Sequence, residues 1–307
     1  MYDVDRILGN SDCMKEVRNL ISRVADSPSN ILLTGERGTG KELVANVIHH
    51  ISGRRAASFV PVLCSAMSEA AWENELFTEA HNGTLFFDEI GELPLMLQTK
   101  LVQIIEDKKA LRMGAAKSTI VDVRIIASTT LDLENEVKAK RFRGDLYYRL
   151  KVVEIDLPPL RERRMDIPVL AESFLTRYSQ EYSKPVHGLS EPALVSLMHY
   201  SWPGNVRELE SVIERAVTLS QSGELLSSDL PVSVQWVDSK LQMTSPTLPL
   251  ASDVQKAKTL KQVEEEYIRL ILEKTGGNHV QTARILGIDR RTLYRKLDVM
   301  ENTGVIE

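Results

Sequence analysis

The chain has 307 residues, of which 43% are hydrophobic and 26% are charged, as in a globular protein of two or three domains. Its net charge of −5 excludes a basic surface over the whole molecule, so charge must be interpreted region by region. The two cysteines, Cys13 and Cys64, have no CxxC spacing, and no apolar run is long enough to span a membrane. We therefore expect a cytoplasmic protein with reduced thiols, no secretory signal and no membrane partner.

The first predicted elements are a strand, a glycine-rich loop and a helix. An apolar run at 31–33 precedes the sequence GERGTGKE at 35–42, and residues 43–48 show helical spacing. This order is that of a P-loop, in which backbone N–H groups surround phosphate oxygens at a helix N-terminus. His49 and His50 end the helix and are predicted to lie at the surface. The predicted nucleotide-binding residues of this loop are Gly35, Glu36, Arg37, Gly38, Thr39, Gly40, Lys41 and Glu42.

A second motif follows at 83–89, where the apolar sequence GTLFF ends in two acids, as in a Walker B strand. Glu42 occupies the position at which most P-loops carry a Ser or Thr ligand to magnesium. The metal must then rely on other groups, and Asp88 is predicted to hold Mg²⁺ through water. Glu89 is predicted to polarise the attacking water, and Lys41 to reach the β- and γ-phosphates.

Short apolar runs rich in β-branched residues recur between helical patterns. This alternation predicts an α/β fold with a mainly parallel sheet and a ligand at the carboxyl ends of its strands. The predicted strands fall near 31–34, 59–63, 84–87, 121–128 and 152–157. The chain then divides into an α/β subdomain at 1–158, a helical subdomain at 159–230, a Pro- and Ser-containing linker at 231–256 and an all-α domain at 257–307.

The all-α domain has the order of a helix-turn-helix. A capping box at 259–262 opens one helix, which ends at the glycines 276–277. A short helix then buries Ala283, Gly287 makes a tight turn, and Asp289 caps the next helix. This order of helix, glycine turn and capped helix predicts a DNA-binding module.

Basic residues concentrate in the same module, with five Lys and Arg against one acid between 279 and 297. Such an island in an acidic chain favours phosphate contact, and its last helix is predicted to enter the major groove of double-stranded DNA. A solvated basic helix in a small bundle is the alternative. The predicted DNA-binding residues are Arg284, Arg290, Arg291, Thr292, Arg295 and Lys296.

Together these motifs resemble the bacterial enhancer-binding proteins, which are AAA+ activators of sigma-54 RNA polymerase. The resemblance covers nearly the whole chain and implies an AAA+ P-loop domain with a helical lid, followed by a Fis-type helix-turn-helix. It also implies ATP and Mg²⁺ as cofactors and RNA polymerase as a partner. The matching segments are GERGTGKE at 35–42, ELF at 75–77, GTLFFDEIGELP at 83–94, RFRGDLYYRL at 141–150, LPPLRER at 157–163, WPGNVREL at 202–209 and GGN…TLYRKL at the end.

The resemblance also implies roles for four further residues. Arg143 and Arg149 match the two arginines that reach the nucleotide of a neighbouring subunit, where a cation stabilises charge on the transferred phosphoryl group. They imply a ring or partial ring of subunits, or a dimer when inactive. Arg207 resembles the lid arginine called sensor II, and Thr130 stands at the family's sensor I position.

Several positions depart from the family pattern. The family's long insertion with the GAFTGA loop, which engages sigma-54, has no counterpart between Phe77 and Gly83. Leu63 replaces an Asn that responds to the catalytic glutamate, Thr130 replaces another Asn, and Arg37 replaces the usual Ser. We also expect no receiver or ligand-sensing domain before the AAA+ domain.

Three functions remain open from the sequence. The first is an ATP-hydrolysing activator of the sigma-54 type, and the second is a DNA-bound regulator in which ATP promotes oligomerisation without the sigma-54 loop. The third is a subunit that assembles with a loop-bearing relative and modulates it. The lost loop, Leu63 and Thr130 favour the second or third function over the first.

Overall fold

The computed structural model describes residues 3–67, 72, 76–107, 109–110, 119–120, 122–235, 264, 267–269, 271–272, 275 and 278–302. The chain divides into two compact units, Met1–Trp236 and Val237–Glu307. In the described part of the chain, no helix is long and apolar enough to cross a membrane. The predicted capping box at 259–262, the glycines 276–277 and the linker beyond residue 235 lie outside the described residues.

The first unit is built on a five-stranded parallel sheet, as the alternating pattern predicted. The strands of this unit's α/β part are β1 (Ile31–Thr34), β2 (Phe59–Leu63), β3 (Thr84–Asp88), β4 (Lys109–Ala110), β5 (Thr119–Ile120), β6 (Arg124–Thr129) and β7 (Val153–Asp156). Across the five-stranded sheet the order is β2-β3-β6-β1-β7, so β6 separates β1 from β3 and the carboxyl ends of all three reach the same edge. A separate antiparallel pair, β4 with β5, precedes β6.

Helices pack on both faces of this sheet because alternate residues of each central strand point to opposite sides. Leu33 and Phe86 belong to the core under the helices at 12–24 and 41–50, whereas Leu32 and Phe87 belong to the core under the helices at 95–107 and 144–150. The helices of this region are α1 (Asp12–Val24), α2 (Lys41–His50), α3 (Leu76–Glu79), α4 (Leu95–Asp107), α5 (Leu133–Lys138) and α6 (Gly144–Leu150).

A helical lid with its own core completes the first unit. It contains α7 (Ile167–Glu181), α8 (Glu191–His199) and α9 (Asn205–Leu219), which surround the fully buried Trp202. Two short strands, β8 (Gly188–Leu189) and β9 (Glu224–Leu225), form a parallel pair that the sequence analysis did not predict.

The second unit contains the predicted helix-turn-helix. Its helices α10 (His279–Leu286) and α11 (Arg290–Asn302) meet at Gly287, which has a φ of 65°. This left-handed conformation explains the glycine, because a side chain there would be strained. The small core consists of Ile268, Ala283 and Leu293.

The sequence interpretation of one histidine was wrong. His49 is only 2% exposed and does not lie at the surface. Its Nδ1 lies 3.0 Å from the hydroxyl of Thr84, and its ring contacts Phe59. Burial is tolerated because a polar partner from β3 satisfies the ring nitrogen, and desolvation lowers the pKa of His49.

Candidate functional site

The glycine-rich loop lies between β1 and α2, as predicted. The backbone N–H groups of Gly38 and Gly40 have no hydrogen-bond partner in the described part of the chain. Lys41 is 6% exposed, and its ammonium donates to the carbonyls of Gly35 at 2.8 Å and Glu36 at 3.2 Å. A loop with free N–H groups and a positive charge at a helix N-terminus is suited to bind phosphate.

The two acids at the end of β3 are both hydrogen-bonded to residues at the end of β6. The Ser128 hydroxyl donates to Asp88 Oδ1 at 2.5 Å and accepts from the backbone N–H of Glu89. Glu89 Oε2 accepts from the backbone N–H and the hydroxyl of Thr130, at 2.8 and 2.9 Å, while Oε1 lies 3.4 Å from Lys41 Nζ. Glu89 has a φ of 54°, a strained conformation of the kind that clusters at functional sites.

These groups open onto one cavity of about 590 Å³ between the sheet edge and the lid. Its volume is in the range of ligand-binding clefts. Leu63, Arg177 and Glu210 also line it, although the sequence analysis assigned no binding role to them. The predicted residues that the cavity brings together are Arg37, Gly38, Gly40, Lys41, Glu42, Asp88, Glu89, Thr130 and Arg207.

The other predicted loop residues face elsewhere. Gly35 and Glu36 line a second cavity of about 350 Å³, and the hydroxyl of Thr39 donates to the Glu36 carbonyl at 2.8 Å. The Glu36 carboxylate is directed to the lid, where Arg161 donates to both of its oxygens at 2.8 and 2.6 Å. Asn205 also donates to this carboxylate, at 3.1 Å.

These contacts shift the pKa of the Glu36 carboxyl. The hydrogen bonds from Arg161, and then that from Asn205, lower the pKa of Glu36 to about 2. A carboxylate with a depressed pKa stabilises the fold above its unfolded pKa, and this contribution is lost as the pH falls toward the folded value. The Glu36 contacts are therefore fully present at neutral pH and weaken between about pH 4.5 and 2.

The two predicted trans-acting arginines do not line either cavity of their own chain. Arg143 donates to Asp145 at 3.0 and 2.7 Å, and Arg149 forms an ion pair with Glu106. The side chains of both arginines are 40% exposed. Exposed ion pairs of this kind contribute little, so both guanidinium groups can change partners at small cost.

The close approach of the loop to the lid gives a first prediction. A Cβ on Gly38 would lie 2.2 Å from the carbonyl oxygen of Gly204, whereas one on Gly40 would meet no atom within 4 Å. Both glycines have positive φ, at 80° and 106°. We therefore expect Gly38→Ala to destabilise the unit by about 2 kcal/mol more than Gly40→Ala. Equal shifts of the two thermal unfolding midpoints would contradict this packing.

The predicted DNA-binding residues lie on α10 and α11. Asp289 Oδ1 accepts from the backbone N–H of Arg291 at 2.8 Å, so it caps α11 as predicted. Thr292 is half-buried, and Lys296, whose side chain is 31% exposed, forms an ion pair with Glu264 at 2.7 Å. The exposed residues of the set are Arg284, Arg290, Arg291 and Arg295.

Comparison with protein families matches three regions of this chain. The sigma-54 interaction domain matches residues 7–81 and 76–156. The AAA+ ATPase lid domain matches 161–245, and the Fis family of bacterial regulatory proteins matches 259–298.

Similar proteins span nearly the whole chain. The transcriptional regulatory protein ZraR of Salmonella typhimurium is 41% identical over 309 residues, which cover 95% of this chain and 68% of ZraR. The regulatory protein AtoC of Escherichia coli is 40% identical, with 95% and 67% covered. The crystal structure of NtrX from Brucella abortus in complex with ATP has a TM-score of 0.70 and 33% identity, covering 95% of this chain and 68% of NtrX. A RuvB mutant from Thermotoga maritima shares the fold, with a TM-score of 0.55 at 14% identity.

Proposed function

We propose that this chain, which belongs to the sigma-54-dependent transcriptional regulators with an AAA+ domain and a Fis-type helix-turn-helix, acts without the sigma-54 contact loop that is usual in the family. In this proposal it binds ATP and Mg²⁺, forms an oligomer and regulates transcription from double-stranded DNA in the cytoplasm. The observation that carries the proposal is the combination of an intact phosphate-binding loop and a very short connection between α3 and β3.

That connection supports the loss of the contact loop. Only residues 80–83 join α3 to β3, and they form a turn in which Gly83 donates to the Ala80 carbonyl at 2.8 Å. The two matches to the sigma-54 interaction domain meet at 76–81, the same place in the chain. The alignment with ZraR spans 309 positions but only 95% of this 307-residue chain, so ZraR carries residues without a counterpart here.

The site supports ATP and Mg²⁺ through its free donors and acceptors. The N–H groups of Gly38 and Gly40 and the ammonium of Lys41 would hold phosphate oxygens. Asp88 lines the cavity, and because only its Oδ1 is hydrogen-bonded to a described residue, Oδ2 can hold a Mg²⁺-bound water. Bound ATP would supply the phosphoanhydride bond, and Glu89, which lines the same cavity, would orient water.

The proposed oligomer follows from the position of two arginines. The side chains of Arg143 and Arg149 are 40% exposed and do not line the 590 Å³ cavity of their own chain, so a neighbouring subunit is where they would reach phosphate. A hetero-oligomer with a loop-bearing relative is a second candidate, since this chain would supply arginines and DNA contacts while the relative supplies the loop. An ATP-hydrolysing sigma-54 activator remains the alternative in which another segment replaces the loop.

DNA binding gives a second prediction. Arg290→Ala and Arg291→Ala should each weaken binding to double-stranded DNA, because both exposed cations lie at the start of α11. Each loss of a phosphate contact should reduce the slope of log affinity against log salt by about 1. The measurement is a salt titration with genomic fragments selected by the wild-type protein. Arg215→Ala, an exposed arginine of the lid, is the control, and an unchanged affinity for both variants would contradict the predicted contact.

A direct test of the proposal measures association with sigma-54. Purified protein is mixed with tagged sigma-54 in the presence of ATP, ADP, or ADP with a metal fluoride that mimics the transferred phosphoryl group. A family member whose sequence contains the GAFTGA loop serves as the positive control. We expect the relative to be retained and this chain to be absent from the complex under all three conditions. Retention of this chain by itself would contradict a function without the contact loop, whereas retention only with the relative would favour the hetero-oligomer.

A further inference from the structure

The outer side of the phosphate-binding loop is bonded to the lid at four consecutive residues. Besides the Glu36 contacts, Asn205 donates to the Arg37 carbonyl at 2.9 Å. The N–H groups of Val206 and Arg207 donate to the Gly38 carbonyl at 2.9 and 3.3 Å. Arg163, which is 3% exposed, donates to the Thr39 carbonyl at 3.0 Å.

The two sides of the loop therefore have different hydrogen-bond partners. The Glu36 carboxylate and the carbonyls of Arg37, Gly38 and Thr39 bond to the lid, and the N–H groups of Gly38 and Gly40 remain free for an anion. Fixing the outer side restricts the backbone dihedrals that direct those N–H groups. A loop held in its binding conformation loses less entropy when a ligand arrives, so its affinity is higher.

Asn205 is hydrogen-bonded both to the phosphate-binding loop and to the segment at the start of the lid. Its Oδ1 accepts from the backbone N–H of Leu160 at 2.8 Å, and its Nδ2 donates to Glu36 and to Arg37. The residue is fully buried and has a φ of 53°, which is a strained backbone conformation for a residue other than glycine. Such strain persists only where the surroundings fix it, and here those surroundings are the loop and the start of the lid.

We propose that Glu36 is a positioning residue, which through Arg161 and Asn205 couples nucleotide affinity to the position of the lid. The inference rests on the proposed nucleotide site and names a residue of that site whose carboxylate faces away from the phosphate cradle. A movement of the lid that breaks the Glu36–Arg161 pair would release the loop and weaken nucleotide binding, without any change in the residues that touch phosphate.

The test is a double-mutant cycle on nucleotide affinity. The dissociation constant of fluorescently labelled ADP is measured by anisotropy for wild type, Glu36→Gln, Arg161→Gln and the double variant. Both residues are about 40% exposed, so each variant should fold, and a urea midpoint is recorded for each. We expect each single variant to bind about three- to tenfold more weakly and the double variant to bind no more weakly than the worse single one. Arg164→Gln, at an exposed residue three positions after Arg161, is the control and should bind as wild type does.

The outcomes separate this inference from the site on which it rests. Lower urea midpoints with unchanged ADP affinity would mean that the contact only stabilises the fold, and this result would overturn the inference. Additive losses of ADP affinity in the double variant would overturn it as well. A wild type that binds no ADP, or whose affinity is unchanged by Lys41→Ala, would overturn the nucleotide site and this inference with it. Normal wild-type binding with unchanged Glu36→Gln and Arg161→Gln would overturn this inference alone.

Discussion

Asp166→Ala is expected to lower the free energy of unfolding of the first unit by about 3 kcal/mol. Asp166 is fully buried at the start of the lid. Its Oδ1 accepts from the backbone N–H groups of Asn10 and Ser11 at 2.6 and 2.8 Å, and its Oδ2 accepts from the Ser11 hydroxyl at 2.6 Å. Removing the carboxylate leaves these three partly buried donors without their acceptor, which costs more than the loss of fully exposed hydrogen bonds.

The same variant tests how the N-terminal segment is held. A Cβ on Gly9 would lie 2.6 Å from Asp166 Oδ2, so the chain passes directly over this carboxylate. The measurement is the urea midpoint followed by tryptophan fluorescence, because Trp202 is fully buried in the lid core. Asp12→Asn, a change at a side chain that is 92% exposed, is the control and should leave the midpoint unchanged. A midpoint for Asp166→Ala equal to that of the control would contradict the role of this carboxylate.

Local sequence patterns predicted the parts of the site that are formed by neighbouring residues. The order of strand, GERGTGKE and helix places Lys41 and the loop glycines at the sheet edge, since each element follows directly from its own periodicity. The pair Asp88 and Glu89 was likewise predicted because it ends an apolar strand. The parallel sheet then brings the carboxyl ends of β1 and β3 to the same edge.

Contacts between distant residues could not be predicted in this way. Glu36 and Asn205 are 169 residues apart, and the motif that contains Asn205 gave no indication that its side chain reaches the phosphate-binding loop. Ser128 bonds to Asp88 from a different strand, and a serine in an apolar strand has no distinguishing pattern. The pair β8 and β9 was missed because two-residue strands have no detectable period.

Glu89→Gln is expected to reduce ATP turnover by about 10²- to 10⁴-fold while nucleotide affinity stays near that of wild type. Glutamine keeps the shape of the side chain and one oxygen for Thr130, but it cannot accept a proton from water. In the structure Lys41 lies 3.4 Å from Glu89 Oε1. Engagement of a phosphate by Lys41 would free that oxygen to act as a general base. The measurement is steady-state phosphate release, with and without bound DNA, beside equilibrium binding of labelled ADP.

Glu92→Gln is the matched control, since Glu92 lines the same cavity and its change should alter turnover only slightly. Wild-type turnover that disappears only with Glu89→Gln would mean that the motor is intact and must act through a segment other than the usual loop. Full turnover by Glu89→Gln would contradict the assignment of this residue. Binding without turnover in the wild type would favour ATP as an assembly ligand, because Thr130 and Lys41 would then hold the Glu89 carboxylate away from water even with nucleotide present. In that case the protein would act as a DNA-bound switch set by nucleotide occupancy rather than by hydrolysis.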